Sequence, residues 1–150
     1  MPLTIEDASI KHLERLYEIE MECFKKEAFT KQQIAQLLQN SNSISLVAKE
    51  DGNIIGFIIG AVSVENGNIV GHILTIDVSP SHRRRGVGFK LLQEMEKIFK
   101  DRGVKICRLE VRENNVAALN LYRKLGYRKI GVLEYYYGEA HGILFEKALL

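Results

Sequence analysis

Ile69-Val70-Gly71-His72-Ile73-Leu74-Thr75-Ile76-Asp77-Val78, then Ser79-Pro80, then Arg83-Arg84-Arg85-Gly86-Val87-Gly88, is the segment that settles the architecture. Its β-branched residues read as a strand that stops before Pro80. After the turn, Leu91, Leu92, Met95, Ile98 and Phe99 recur at helical spacing, so a helix runs from near Gly86 to a stop at Gly103. Lys105 to Val111 is a second strand. Strand, helix and strand in this order make a right-handed crossover, which places the two strands parallel in one sheet.

Outward from this unit, Asn66-Gly67 and Asp51-Gly52 are tight-hairpin dipeptides, and they join Ile44–Lys49, Ile54–Val64 and Ile69–Val78 into antiparallel neighbours. Leu3 to Glu6 reads as a short strand. Ile10, Leu13, Leu16, Ile19 and Cys23 give an amphipathic helix ending near Phe24. A loop, Lys25 to Phe29, leads to Thr30, which with Gln33 forms a capping box before the apolar face of Ile34, Leu37 and Leu38. Toward the C-terminus, a helix from Asn115 to Leu125 stops at Gly126. Strands Tyr127–Tyr137 and Ile143–Leu149 close the chain around Gly138 and Gly142. The expected fold class is α/β (α+β), with a mixed, mostly antiparallel seven-stranded sheet flanked by four helices in the order β-α-α-β-β-β-α-β-α-β-β. No linker or repeat divides residues 1–150, so a single domain is expected.

Lysine and arginine number 21 against 19 aspartates and glutamates, so the balance points to no general nucleic-acid or membrane-surface binder. Ile54 to Val64 is far short of the ~20 apolar residues of a membrane span, and the first residues lack a signal-peptide pattern. A soluble cytoplasmic protein is expected. Cys23 and Cys107 lack metal or redox spacing and read as buried reduced thiols without a role; no metal site is expected.

Arg83-Arg84-Arg85-Gly86-Val87-Gly88 lies between a strand and a helix, where converging N–H groups and the helix dipole hold an anion such as a diphosphate. A dinucleotide-binding turn, a nucleic-acid patch and a plain solvated turn compete with that reading. The first needs a third glycine where Leu91 stands, and the second needs more basic clusters and stacking aromatics.

Arg83-x-x-Gly86-x-Gly88, then Leu109-Glu110-Val111-Arg112, then Asn114-Asn115 with Ala117, Leu119, Tyr122 and Leu125-Gly126-Tyr127 resembles the GNAT superfamily of acetyl-CoA-dependent N-acetyltransferases. Gly71-His72-Ile73-Leu74-Thr75-Ile76-Asp77-Val78 and Tyr135-Tyr136-Tyr137 narrow the resemblance to the RimI/Ard branch, which acetylates protein N-terminal α-amines. The resemblance spans Ile5 to Leu149. It implies the GNAT fold, in which the strand ending at Ile76-Asp77-Val78 splays from Lys105–Val111 and acetyl-CoA enters the gap. It implies that Ile76, Asp77 and Val78 bind the cofactor, the main chain of Ile76 and Val78 meeting the pantetheine and thioester. Arg83, Arg84, Arg85, Gly86, Val87, Gly88 and Phe89 then surround the pyrophosphate, and Asn115 and Tyr122 meet the cofactor arm. Glu110 is the expected base, His72 a second base acting through water, and Tyr122 the proton donor to the departing sulfur. Glu27, Phe29, Tyr136 and Tyr137 are the expected acceptor contacts.

Two departures from the family pattern fall on the acceptor wall: the short turn Tyr137-Gly138-Glu139-Ala140-His141-Gly142, and Lys26-Glu27-Ala28-Phe29 in the first loop. An α-amine titrates near ~8 and a lysine near ~10.4, so an N-terminal acceptor needs less help from a base. With no cysteine near the cofactor motif to serve as an acyl carrier, direct attack in a ternary complex is expected. The partner is then a protein or peptide N-terminus, the enzyme a monomer or homodimer, with ribosome or partner-subunit association open. Acetylation of lysine or small amines on the same scaffold, and a non-catalytic acyl-CoA sensor, are the competing functions.

Overall fold

A computed structural model describes residues 2–24 and 26–150; Met1 and Lys25, the first residue of the expected interhelix loop, lie outside the described residues. Strands β1 (Leu3–Asp7), β2 (Ser43–Glu50), β3 (Asn53–Glu65), β4 (Asn68–Val78), β5 (Ile106–Arg112), β6 (Arg128–Leu133) and β7 (Gly142–Ala148) alternate with four helices. These are α1 (Leu13–Cys23), α2 (Lys31–Gln39), α3 (Val87–Asp101) and α4 (Val116–Lys124), in the order expected from the sequence. The seven strands form one sheet, β1-β2-β3-β4-β5-β7-β6.

Local chemistry fixes the meander. Asp51 and Gly52 take φ of 53° and 78°, and Asn66 and Gly67 take 50° and 81°, the paired left-handed residues that a type I′ hairpin turn requires. Thr30 Oγ1 accepts from the Gln33 N–H at 3.1 Å while Gln33 Oε1 accepts from the Thr30 N–H at 2.9 Å, so the capping box opens α2 as expected. The crossover through α3 sets β4 parallel to β5, but pairing covers only Val70–Ile106, Gly71–Cys107 and His72–Arg108. At that point the register between β3 and β4 steps from Gly60–Ile73 to Ile59–Thr75, leaving Leu74 as an extra residue. A bulge of this kind bends its strand, and β4 leaves β5 just beyond His72.

Each face of the sheet carries a core. Leu91, Leu92, Met95 and Phe99 of α3 bury against Ile58, Ile73, Leu109, Val111 and Phe145. On the opposite face Leu16, Ile19 and Ile34 of α1 and α2 bury against Val47, Phe57 and Ile59. Helices α1 and α2 pack on the β2–β3–β4 half, so on that face His72 and Glu110 lie beyond them, the Glu110 side chain still mostly buried.

Two expectations need correction. Helix α1 begins at Leu13, after a 3-10 turn over Ile10–His12. Strand β6 ends at Leu133, not Tyr137: Tyr135 is left-handed at φ 51°, its N–H donates to His141 Nδ1 at 2.8 Å, and its carbonyl accepts from Gly138 N–H at 3.0 Å. The three tyrosines have strand propensity, but a loop held by its own hydrogen bonds takes them out of the sheet.

Candidate active site

The parting of β4 and β5 opens a cleft of about 550 Å³. Glu20, Cys23, Glu27 and Phe29 line it on the α1 side, and Asn115, Ala118 and Tyr122 of α4 line it on the other, so it passes through the sheet. The Ser79 N–H donates to Ile55 O, and the Asp77 carbonyl lies against Gly56; both point toward β3. Main-chain groups alternate sides along a strand, so those of Ile76 and Val78 point into the gap. The Val78 carbonyl already accepts from Cys23 Sγ and from Arg83 Nε, each at 3.3 Å.

His72 and Glu110, expected separately, meet: His72 Nε2 lies 2.9 Å from both Glu110 carboxylate oxygens. They come from the last paired position of β4 and from β5, beyond α1 and α2 on the same face. A carboxylate can only accept, so in the neutral imidazole the hydrogen sits on Nε2 and the lone pair on Nδ1. Tyr122 is 6% exposed, and its hydroxyl has no hydrogen-bond partner among the described residues. Burial, with Asp77 nearby, holds that phenol above the usual tyrosine range. It is a neutral O–H, poised to donate.

Gly86 caps α3 in the left-handed region at φ 79°, and Arg84, with φ 64°, is left-handed as well. Alternation of this kind turns successive N–H groups toward one point, and the first turn of α3 adds its free N–H groups. The arginines divide their work. Arg85 Nη1 donates to the Glu50 carboxylate at 3.0 and 3.1 Å, and Arg83 binds the Val78 carbonyl and Cys23. Arg84 has no charged or hydrogen-bonded partner among the described residues. A main-chain nest with one uncommitted cation and an unpaired strand edge leading to it fit a long diphosphate-bearing ligand. Asn115 serves as the N-cap of α4, its Oδ1 accepting from Ala118 N–H at 3.2 Å, while also lining the cleft.

At the mouth of the cleft, Glu27 pairs with Arg112 Nη1 at 3.2 Å, Arg112 Nη2 pairs with Glu139, and the Arg112 guanidinium sits 5.8 Å from the Tyr137 ring centre. Tyr136 and Tyr137 pack edge to face at 4.9 Å and both line the cleft. Burial holds the Tyr137 phenol above its usual range, with Tyr136 next in effect. Phe29 is half-buried beside the α1–α2 core.

Several features escape a linear reading. The Asp77 side chain is not among the cleft-lining residues; it is 1% exposed and turned to Thr75 on the α1 face. Glu20 is equally buried and bonds Thr75 and the Phe29 N–H. Cys23, expected to have no bearing on the site, lies in the cleft against Val78 and Arg83, which corrects the expectation that no cysteine stands near the cofactor motif. Burial pushes its thiol up to about 11, so it donates to Val78 O as a thiol. Only the position of Glu20 inside an apolar helix stripe hinted at this cluster.

The chain matches the Acetyltransferase (GNAT) family over residues 13–127. An N-alpha-acetyltransferase of Sulfurisphaera tokodaii is 33% identical over 111 residues, 68% of this chain and 66% of the relative, just under two thirds of its length. Ard1 from Thermoplasma volcanium superposes with a TM-score of 0.89 at 27% identity, covering 100% of this chain and 99% of that one. The ribosomal-protein-S18-alanine N-acetyltransferase from Escherichia coli shares the fold, with a TM-score of 0.89 at 24% identity over 99% and 94% of the two chains. The chain therefore belongs to the GNAT acetyltransferase family, whose acetyl donor is acetyl-CoA.

Proposed function

We propose that the protein acetylates the N-terminal α-amine of proteins by direct attack in a ternary complex, acting in the cytoplasm, where its two free thiols stay reduced. The observation that carries this reading is the gap itself. Glu110 lines one face with His72 hydrogen-bonded beside it, a neutral Tyr122 hydroxyl stands at the other, and an anion nest lies at its edge. Acetyl-CoA supplies an activated thioester carbonyl when bound. The main chain at Ile76 and Val78 and the nest from Arg84 to Gly88 would hold it, with Asn115 and Tyr122 beside its arm.

The acceptor approaches from the α1 face, between the Glu27–Phe29 loop and Tyr136–Tyr137. His72 Nδ1 takes the amine proton while Glu110 stabilises the resulting imidazolium through Nε2–H. The neutral Tyr122 O–H donates a hydrogen bond to the departing sulfur and passes it a proton, and the phenolate so left regains a proton from solvent. Bringing amine and carbonyl together supplies much of the rate, and an α-amine near pKa ~8 asks for little more. The kinship with an N-alpha-acetyltransferase supports the choice of acceptor.

The test is CoA release with short peptides carrying a free α-amine and an internal lysine, compared with the same peptides blocked at the α-amine, the acetyl group being located by mass spectrometry. Turnover confined to free α-amines is the expected result. Turnover on blocked peptides assigns the activity to lysine, and release with neither set rejects a peptide acceptor.

A further inference from the structure

Beneath the cleft, two carboxyl groups share one hydroxyl. Thr75 Oγ1 lies 3.0 Å from Glu20 Oε1 and 2.6 Å from Asp77 Oδ1, and all three side chains are buried. Thr75 has one hydrogen and cannot donate to both. Glu20 uses both oxygens as acceptors, Oε1 toward Thr75 and Oε2 from the Phe29 N–H at 3.0 Å. Asp77 Oδ2 is buried and has no hydrogen-bond partner among the described residues. An ionised Asp77 would bury a charged, unpartnered oxygen, whereas a carboxylic acid leaves only a carbonyl oxygen there.

We infer that Asp77 carries a proton at neutral pH and heads a one-way chain, Asp77 O–H to Thr75 Oγ, Thr75 O–H to the Glu20 carboxylate, which also receives the Phe29 N–H. Glu20 is thereby a positioning residue: it ties the acceptor loop to the bend of β4. The titratable groups facing Asp77 are Glu20 and Cys23 of α1, Arg83 of the turn and Tyr122 of α4; no titratable side chain of β3 faces it among the described residues. Burial first, and then the neighbouring Glu20, hold the Asp77 carboxyl well above its ordinary range; Thr75 and Arg83 oppose this. A raised carboxyl stabilises the fold fully below its unfolded value of ~3.9, and the contribution is lost as pH climbs through the folded value. The proton assignment stands apart from the acceptor reading; only the acceptor KM consequence rests on it.

The experiment titrates the Asp and Glu carboxyl carbons of the 13C-labelled chain through neutral pH, then compares Asp77→Asn with Glu20→Gln. Asp77 is expected to stay protonated while Glu20 stays ionised. The side-chain amide of D77N keeps a donor toward Thr75 at every pH, so this variant should match the parent's Tm in acid and exceed it increasingly as pH rises. The amide that E20Q introduces cannot accept from both partners, so that variant should lower Tm and raise the acceptor KM about tenfold with unchanged acetyl-CoA affinity. An ionised Asp77 at neutral pH, a protonated Glu20, or equal tolerance of the two variants overturns the chain. If no amine is acetylated, the acceptor reading fails and the carboxyl titration still decides the proton.

Discussion

Cys23 lies against the strand edge that would carry the thioester, the place for an acyl carrier, yet its chemistry is wrong for one. A thiol held near pKa 11 by burial is ionised at neutral pH only to the order of 10⁻⁴. Its hydrogen is committed to Val78 O. Cys23→Ala should therefore keep kcat within a few-fold, with intersecting initial-rate lines; parallel lines in the parent enzyme, abolished in the variant, would show an acyl-enzyme instead. His72 and Glu110 have the opposite status, because their contact makes them one device. His72→Ala should cost activity about as much as the double variant with Glu110→Gln, since groups that act as a unit are not additive. Additive losses would separate their roles. Tyr122→Phe removes a hydroxyl that has no hydrogen-bond partner among the described residues and should lower kcat while leaving acetyl-CoA affinity and Tm near the parent's.

The glycines of the anion turn separate a backbone requirement from a ligand requirement. A Cβ at Gly86 meets nothing within 4 Å, but φ is 79°, so Gly86→Ala should cost about 1 kcal/mol in stability as well as acetyl-CoA affinity. A Cβ at Gly88 sits at ordinary contact distance, 3.6 Å from Leu121 and 3.7 Å from Val78. Gly88→Ala should thus leave Tm alone, so that any loss of affinity measured by calorimetry reports how closely the ligand approaches the main chain. Elements of this kind were legible in sequence because their determinants are local: Asp51-Gly52, Asn66-Gly67, the Thr30–Gln33 box and the strand–turn–helix at Gly86. The end of β6 was not, since the bond from Tyr135 N–H to His141 spans a loop of no fixed pattern. Nor was the Glu20–Thr75–Asp77 contact, which joins residues 55 positions apart and exists only once α1 packs on β4. Sequence pointed to each member of the His72–Glu110 pair, but not to their contact across the end of the parallel ladder.

At the scale of the whole molecule, the two walls of the proposed acceptor mouth come from opposite ends of the chain, and Arg112 at the end of β5 holds them together. One terminal nitrogen reaches Glu27 in the α1–α2 loop, the other reaches Glu139 in the β6–β7 loop, and the guanidinium lies over Tyr137. These are the segments that the sequence resemblance sets apart from the RimI/Ard pattern, so on the proposed function the clasp bears on acceptor choice more than on the donor. Exposed pairs contribute little to global stability, and salt screens them. Arg112→Ala is therefore expected to leave Tm and acetyl-CoA affinity near the parent's while raising the acceptor KM, and high salt should raise the parent's KM toward the variant's. Arg112→Lys should restore little, because a single ammonium cannot span two carboxylates and an aromatic face as a planar fork does. Arg112 also holds the Glu139 carboxyl below its ordinary 4.5, so the clasp persists above that pH and opens only as pH falls through the lowered value. An acceptor KM that is flat through neutral and mildly acid pH, rising only in stronger acid, is the expected profile. A KM indifferent to Arg112→Ala and to salt would mean that the loops hold their places without it.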